Sequence, residues 1–130
     1  MSRERRIEAH FDEHDQHFNA PGGEEHGYSA ATGPYEYLLG ALAGCFYYTL
    51  ASYERKCSWD HVGISVIGKK RESIPATLEE TELKITAYGT DDRDEFESLV
   101  RRAEKECSIY NTISKVSNIT LSISYREDAR

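Results

Sequence analysis

The chain has few of the residues that small proteins use as staples. Its 130 residues include three cysteines, three prolines, one tryptophan and one methionine. No apolar stretch follows the basic residues of the opening MSRERRIEAH, as a secretion signal would require, so a cytoplasmic protein is expected. In that compartment three cysteines predict no structural disulfide. Any thiol chemistry they perform is then reactive or transient.

An excess of positive charge is also missing. Sixteen Lys and Arg face 23 Asp and Glu, for a formal net charge of −7. That balance excludes nucleic acid and anionic membranes as partners, since both need a basic surface, and the cluster Arg3, Arg5, Arg6 is too short to reverse it. The longest uncharged run, Tyr37 to Tyr53, lies at the lower limit for a membrane span. It contains Gly40, Gly44, Thr49, Ser52 and four tyrosines, so a buried core helix is expected instead. No Ser-His-Asp arrangement, phosphate-binding glycine loop, internal repeat or low-complexity linker is present. With 38% hydrophobic and 30% charged residues, the sequence predicts one soluble domain over residues 1–130.

What the sequence does have is periodicity. Ile7, Ala9 and Phe11 alternate weakly in a polar opening segment and predict one strand. The stretch NAPGGEEHGYSAATG, Asn19 to Gly33, reads as a loop. Pro34 suits the first turn of a helix, which is expected to run to about Lys56. Along it Leu38, Leu42, Cys45, Thr49 and Ser52 trace one stripe, and Leu39, Ala43, Phe46 and Leu50 another, so the helix is expected to be enclosed on most sides. Two alternating segments follow, Val62-Ile64-Val66 and Leu83-Ile85-Ala87, joined by the polar KKRESIPAT. TDDRDEF then opens a second helix with acidic residues at its start, and Phe96, Leu99, Val100, Ala103 and Cys107 share its apolar face. SIYNTI looks like a helix restart, and Ile119, Leu121, Ile123 and Tyr125 alternate as a half-buried strand. The order strand, helix, strand, strand, helix, strand is that of an α+β protein. Its central helix is more hydrophobic than so short a chain easily covers, which predicts a homodimer in which two such helices pack together.

Three groups of residues could carry chemistry. Cys45 is either a small buried hydrophobe, as most free cysteines are, or a reactive thiol. Cys107 bears on the choice, because a thiol where a helix begins is favoured as thiolate. Two thiols, one per helix, suit the attacking and resolving pair of a thiol peroxidase, although spacing alone does not show that they meet. Cys57 is rotated about 120° from Cys45 on an ideal helix and is read as a structural residue at the helix end. Glu36 is either a first-turn carboxylate that favours the helix dipole or a partner that orients a guanidinium near a reactive cysteine. In HFDEHDQH, the spacing of His10 and His14 would suit zinc on a helix, with His17 nearby. The segment lacks apolar support for a helix and a coherent fourth ligand, so no metal is expected.

These motifs form a recognisable set. GPYEYLLGALAGC, Gly33 to Cys45, resembles the P-x-E-x-L-L-x-A-L-x-G-C helix of the OsmC/Ohr family of organic hydroperoxide reductases. CSIYNTI, from Cys107, resembles that family's second cysteine motif, and the likeness covers roughly Gly33 to Tyr125. The resemblance implies an intertwined α+β homodimer, two long central helices wrapped by antiparallel sheets, with the active site at the dimer interface. It implies that Cys45 attacks the hydroperoxide, that Cys107 resolves the product to a disulfide, and that a dithiol reductant, a dihydrolipoyl protein in the best-known members, restores the pair. No metal or cofactor is called for. Tyr37, Leu38, Leu42 and Phe46 would line the site and favour organic, lipid-like hydroperoxides over hydrogen peroxide. Two positions differ from the family's peroxidases, in which a Glu directly follows the Pro and a proline follows the second cysteine. Tyr35 stands directly after Pro34, with the carboxylate one place later at Glu36, and Ser108 occupies the place of a proline. The family's catalytic arginine comes from an N-terminal strand, where this chain offers Arg3, Arg5 and Arg6. The alternative function for the same fold is a non-catalytic dimer that binds an apolar ligand or senses oxidants.

Overall fold

A computed structural model describes residues 3–22, 28–54 and 56–127. Strands β1 (Glu4–Phe11) and β2 (Gln16–Asn19) precede helix α1 (Pro34–Ser52), and β3 (His61–Lys70) and β4 (Leu78–Tyr88) follow it. Helices α2 (Arg93–Glu106) and α3 (Ser108–Ser114) then lead to β5 (Asn118–Arg126). The strands form one sheet in the order β2-β1-β3-β4-β5. Neighbours are antiparallel except β4 and β5, which run parallel in a register that sets Leu83 beside Leu121 and Ile85 beside Ile123. A parallel pair needs a long crossover, and α2 with α3 supplies it. The α+β class is as expected, while the sheet is mixed rather than wholly antiparallel.

The periodic segments became the elements they predict, and the differences have local causes. The polar HFDEHDQH is not a helix, and no zinc pair at i, i+4 exists there. It is the turn of a hairpin in which Asp12 Oδ1 accepts hydrogen bonds from the backbone N–H groups of His14 (2.8 Å) and Asp15 (2.7 Å), and His10 faces His17 across the strands. Helix α1 ends at Ser52, short of Lys56, because Tyr53 turns to extended backbone. There the Tyr53 hydroxyl donates to Glu106 Oε1 at 2.8 Å, and the Arg102 guanidinium lies 4.0 Å above its ring. Cys57 therefore lies beyond the helix, and it is buried. Among the described residues no helix is long and apolar enough to cross a membrane.

Helix α1 lies across β1 and β3. Leu39, Leu42, Ala43, Phe46 and Leu50 are wholly buried with Ile7, Ala9, Val62, Ile64 and Val66, and Tyr47 stacks on Phe11 at 4.3 Å. Burying each large side chain contributes about 1.5–3 kcal/mol, which is what fixes the rotation of the helix on the sheet. The opposite side stays open. Leu38 is 38% and Tyr48 56% exposed, and Cys45 is half-buried, so this chain alone does not enclose the helix on most sides.

One buried ion pair pins the helix start to the sheet. Arg5 shares the inward parity of Ile7, Ala9 and Phe11 on β1. Its Nε donates to Glu36 Oε2 and its Nη2 to Glu36 Oε1 (2.7 Å), and Nη2 also donates to the Ala30 carbonyl (3.2 Å). Glu36 Oε1 accepts the Gly33 N–H at 2.8 Å as well, so the carboxylate caps the first turn of α1. Burial alone would raise the Glu36 carboxyl, but the bonds from Arg5 and Gly33 outweigh it and hold it below the usual carboxylate range.

A carboxylate depressed in the folded state adds stability above its unfolded pKa and loses it as pH falls through the lower folded value. Glu36→Gln leaves a buried guanidinium without a counter-charge, and urea unfolding at pH 7 should show a loss of about 3–5 kcal/mol. Below about pH 4.5, its stability should vary less with pH than that of the wild type. The double variant Arg5→Met/Glu36→Met should recover most of the loss. A single variant as stable as the wild type at pH 7 would show that the pair pins nothing.

Candidate thiol site

The sequence leaves open whether Cys45 and Cys107, 62 residues apart, ever meet; the fold joins them. Helix α1 carries Cys45 next to the buried Phe46, at the border between its packed and open sides. Cys107 lies where α2 stops and α3 starts. Its backbone N–H closes the last turn of α2 on the Ala103 carbonyl (2.8 Å), and its Sγ accepts the Tyr110 N–H (3.5 Å) as the N-cap of α3. The break is tied by Asn111, whose Nδ2 donates to the carbonyls of Cys107 (2.8 Å), Lys105 (3.2 Å) and Glu104 (3.4 Å). Orphan carbonyls at the end of α2 are thereby satisfied by the helix that follows it.

The two sulfurs are 3.3 Å apart, both as free thiols, with the Cys107 S–H directed at Cys45. Closing a disulfide requires an approach to about 2.05 Å. Their environments differ. Cys107 has no exposed surface, and burial pushes its thiol up to about 11. Cys45 also pays for burial, but N–H donation from Ile109, then the Cys107 thiol and the hydroxyls of Ser108 and Thr49, outweigh it and lower its pKa below the ordinary thiol value. Ser108 Oγ stands 3.7 Å from Cys45 Sγ. Cys45 is therefore the more acidic thiol of the pair, and Cys107 holds its proton more tightly.

Two tyrosines, Tyr53 and Tyr110, flank the end of α2 on either side of Cys107 in sequence. Phe46 of α1 meets the Tyr110 ring at 5.8 Å, and the Tyr110 hydroxyl donates to Glu104 Oε2 at 3.0 Å. Burial and these carboxylate bonds raise both Tyr110 and Tyr53 to about 12, so both remain neutral hydrogen-bond donors at any working pH.

The other expected site residues are spread along α1. Glu36 is nine residues before Cys45, which is about 13 Å along the helix axis at the usual rise, so within one chain it does not approach the thiol. Leu42 and Phe46 are wholly buried against the sheet and offer no surface to a substrate in this structure. Leu38 is exposed, and Tyr37 is half-buried beside Phe18 and Tyr28. His10 Nδ1 lies 3.2 Å from His61 Nε2 where β1 ends and β3 begins, with His14 in the hairpin turn. Among the described residues no group of three or more His, Cys, Asp or Glu is arranged to hold a metal ion.

The residues that sequence reasoning missed are Ser108, Thr49 and Asn111. Ser108 stood out only as a departure from a motif, and nothing in the spacing tells that its hydroxyl faces the other cysteine. The pairing of Arg5 with Glu36 did have a signal, because only Arg5 and Arg3 of the three arginines share the parity of the apolar positions of β1.

A family model for the OsmC-like protein matches residues 24–122. Among solved structures, a hypothetical protein from Aquifex aeolicus VF5 is 23% identical with a TM-score of 0.62, and the match covers 93% of this chain and 96% of that one. An OsmC-like protein from Mycoplasma pneumoniae is 15% identical with a TM-score of 0.67, covering 92% and 88%. An organic hydroperoxide resistance protein OsmC from Legionella pneumophila, described as a predicted redox protein and regulator of sulfide bond formation, is 18% identical with a TM-score of 0.53, covering 92% and 96%. At these identities the structures show a shared fold. No curated protein sequence matches the chain. With the family model spanning most of its length, the protein belongs to the OsmC-like family.

Proposed function

We propose that the protein is a cysteine-based thiol peroxidase that reduces organic hydroperoxides through Cys45 and Cys107. The observation that carries this reading is the contact of two free thiols at 3.3 Å with opposite shifts in acidity. A purely structural pair has no need of such an asymmetry.

The Cys45 thiolate attacks the terminal oxygen of the hydroperoxide. The S–O bond forms, the O–O bond breaks, and the alkoxide leaves and takes a proton from water, while Cys45 becomes a sulfenic acid. Cys107 then attacks the Cys45 sulfur. Its proton and the sulfenic hydroxyl leave as water, and the disulfide closes. An external dithiol reduces the disulfide and is itself oxidised. The raised pKa of Cys107 suits this order, since it stays a protonated donor until Cys45 has been oxidised. Preference for organic over inorganic peroxide would come from the apolar surface left open along α1, where Leu38 is exposed about two turns from the thiol, while Leu42 and Phe46 are buried.

The homodimer belongs to the same proposal. The open side of α1, with Leu38 and Tyr48, and the half-buried Ile119, Leu121 and Ile123 of β5 are apolar surface that a second copy would cover. Because the Arg5–Glu36 pair lies far along the helix from Cys45, any part it plays in the chemistry is played on the partner's thiol.

The test follows loss of cumene hydroperoxide with dihydrolipoamide as reductant. Wild type and Cys57→Ser should turn over alike, and Cys45→Ser should lose at least about a hundredfold in rate. Cys107→Ser should oxidise once, leaving a sulfenic acid that dimedone traps, and then stall. Wild-type rate should rise with pH and level off below the ordinary thiol range near 8.5, because the reacting form is the thiolate of a depressed thiol. No turnover by the wild type, or equal turnover by Cys45→Ser, would sink the reading. A single stoichiometric oxidation of the wild type without turnover would favour an oxidant sensor on the same pair.

A further inference from the structure

Ser108 is the first residue of α3, it is exposed, and its Oγ lies 3.7 Å from the Cys45 sulfur, a long contact in which either atom can donate while Cys45 is a thiol and only the hydroxyl once it is a thiolate. Of the other side chains near the Cys45 sulfur, the Cys107 thiol is consumed when the disulfide closes, and the Thr49 hydroxyl directs its proton to the Cys45 carbonyl at 2.8 Å. The Ser108 hydroxyl is not redox-active and is fixed in place by its position between the Cys107 cap and the Asn111 tie. It stands at the solvent side of the pair, whereas Cys107 is wholly buried behind it.

We propose that Ser108 is a catalytic residue of this chain, its hydroxyl donating a hydrogen bond to the Cys45 thiolate and so setting how much thiolate exists at neutral pH. Its contribution to catalysis rests on the peroxidase reading, but the hydrogen bond itself does not. Proline is equally suited to a first helical position, so helix geometry alone does not call for serine here.

The experiment exploits that equivalence. Iodoacetamide alkylation of Cys45 is followed by mass spectrometry of its peptide from pH 5 to 10 in the full-length wild type, Ser108→Ala, Ser108→Pro and Ser108→Thr. The Ala and Pro variants should shift the midpoint upward, slowing alkylation at pH 7 by about three- to tenfold, as expected for an exposed hydrogen bond to a charged group. Above both midpoints their rates should equal that of the wild type, and Ser108→Thr should keep the wild-type profile. Ala and Pro profiles that superimpose on the wild type would overturn the proposal. So would a slowing of equal size at every pH, which marks altered access rather than a lost donor. Alkylation needs no peroxide. A shifted profile in a protein that never turns over hydroperoxide would uphold Ser108 and sink the peroxidase reading, and turnover with an unshifted profile would do the reverse.

Discussion

Everything at the thiol site depends on how α1 is rotated against the sheet. Leu39, Leu42, Ala43, Phe46 and Leu50 must all face β1 and β3 to be buried, and together they leave the helix a single rotation. Successive residues are set about 100° apart, so packing Phe46 inward puts Cys45 at the edge of the buried face. A thiol one position later, in the place of Phe46, would be sealed in the core. At the border it is half-buried, within reach of donors from α3 and still open to a substrate. The half-buried setting of Cys45 is therefore a by-product of hydrophobic packing that would be needed in any case.

The second thiol depends on a break. If α2 continued through Cys107, the side chain would stay on the apolar face begun by Phe96, Leu99, Val100 and Ala103. Instead the chain stops, takes one extended residue and restarts, and Asn111 satisfies the carbonyls left over. The break gives Cys107 two roles, N-cap of α3 and neighbour of Cys45. It also brings the start of α3, with the Ile109 N–H and the Ser108 hydroxyl, to the Cys45 sulfur. Their different burial and donors then separate the pair into a more acidic and a less acidic thiol.

Much of this was legible in the sequence. The alternations at Ile7, Val62, Leu83 and Ile119 each became a strand, and both apolar helices were found, because those patterns reflect one buried face. The short β2 was missed, since Gln16, His17, Phe18 and Asn19 form an edge strand without apolar alternation, and its hairpin is set by the Asp12 side chain. The end of α1 was placed too late because Tyr53 leaves the helix for a tertiary contact with Glu106 and Arg102, which no local pattern records. Both cysteines were singled out by position and by resemblance, but their contact is a tertiary fact. The same is true of Ser108, whose value comes from a residue 63 positions away.

The buried Arg5–Glu36 pair holds the start of the same helix and keeps its guanidinium desolvated and oriented, far from the thiol of its own chain. The central claim is narrower than any role for that pair: Cys45 and Cys107 are a working redox couple. The direct measurement is a peptide map, without reduction, of protein treated with one equivalent of cumene hydroperoxide. The account predicts a Cys45–Cys107 linked peptide as the dominant product, with Cys57 unmodified. Recovery of both cysteines as free thiols, or of a disulfide that pairs Cys57 with either of them, would contradict it.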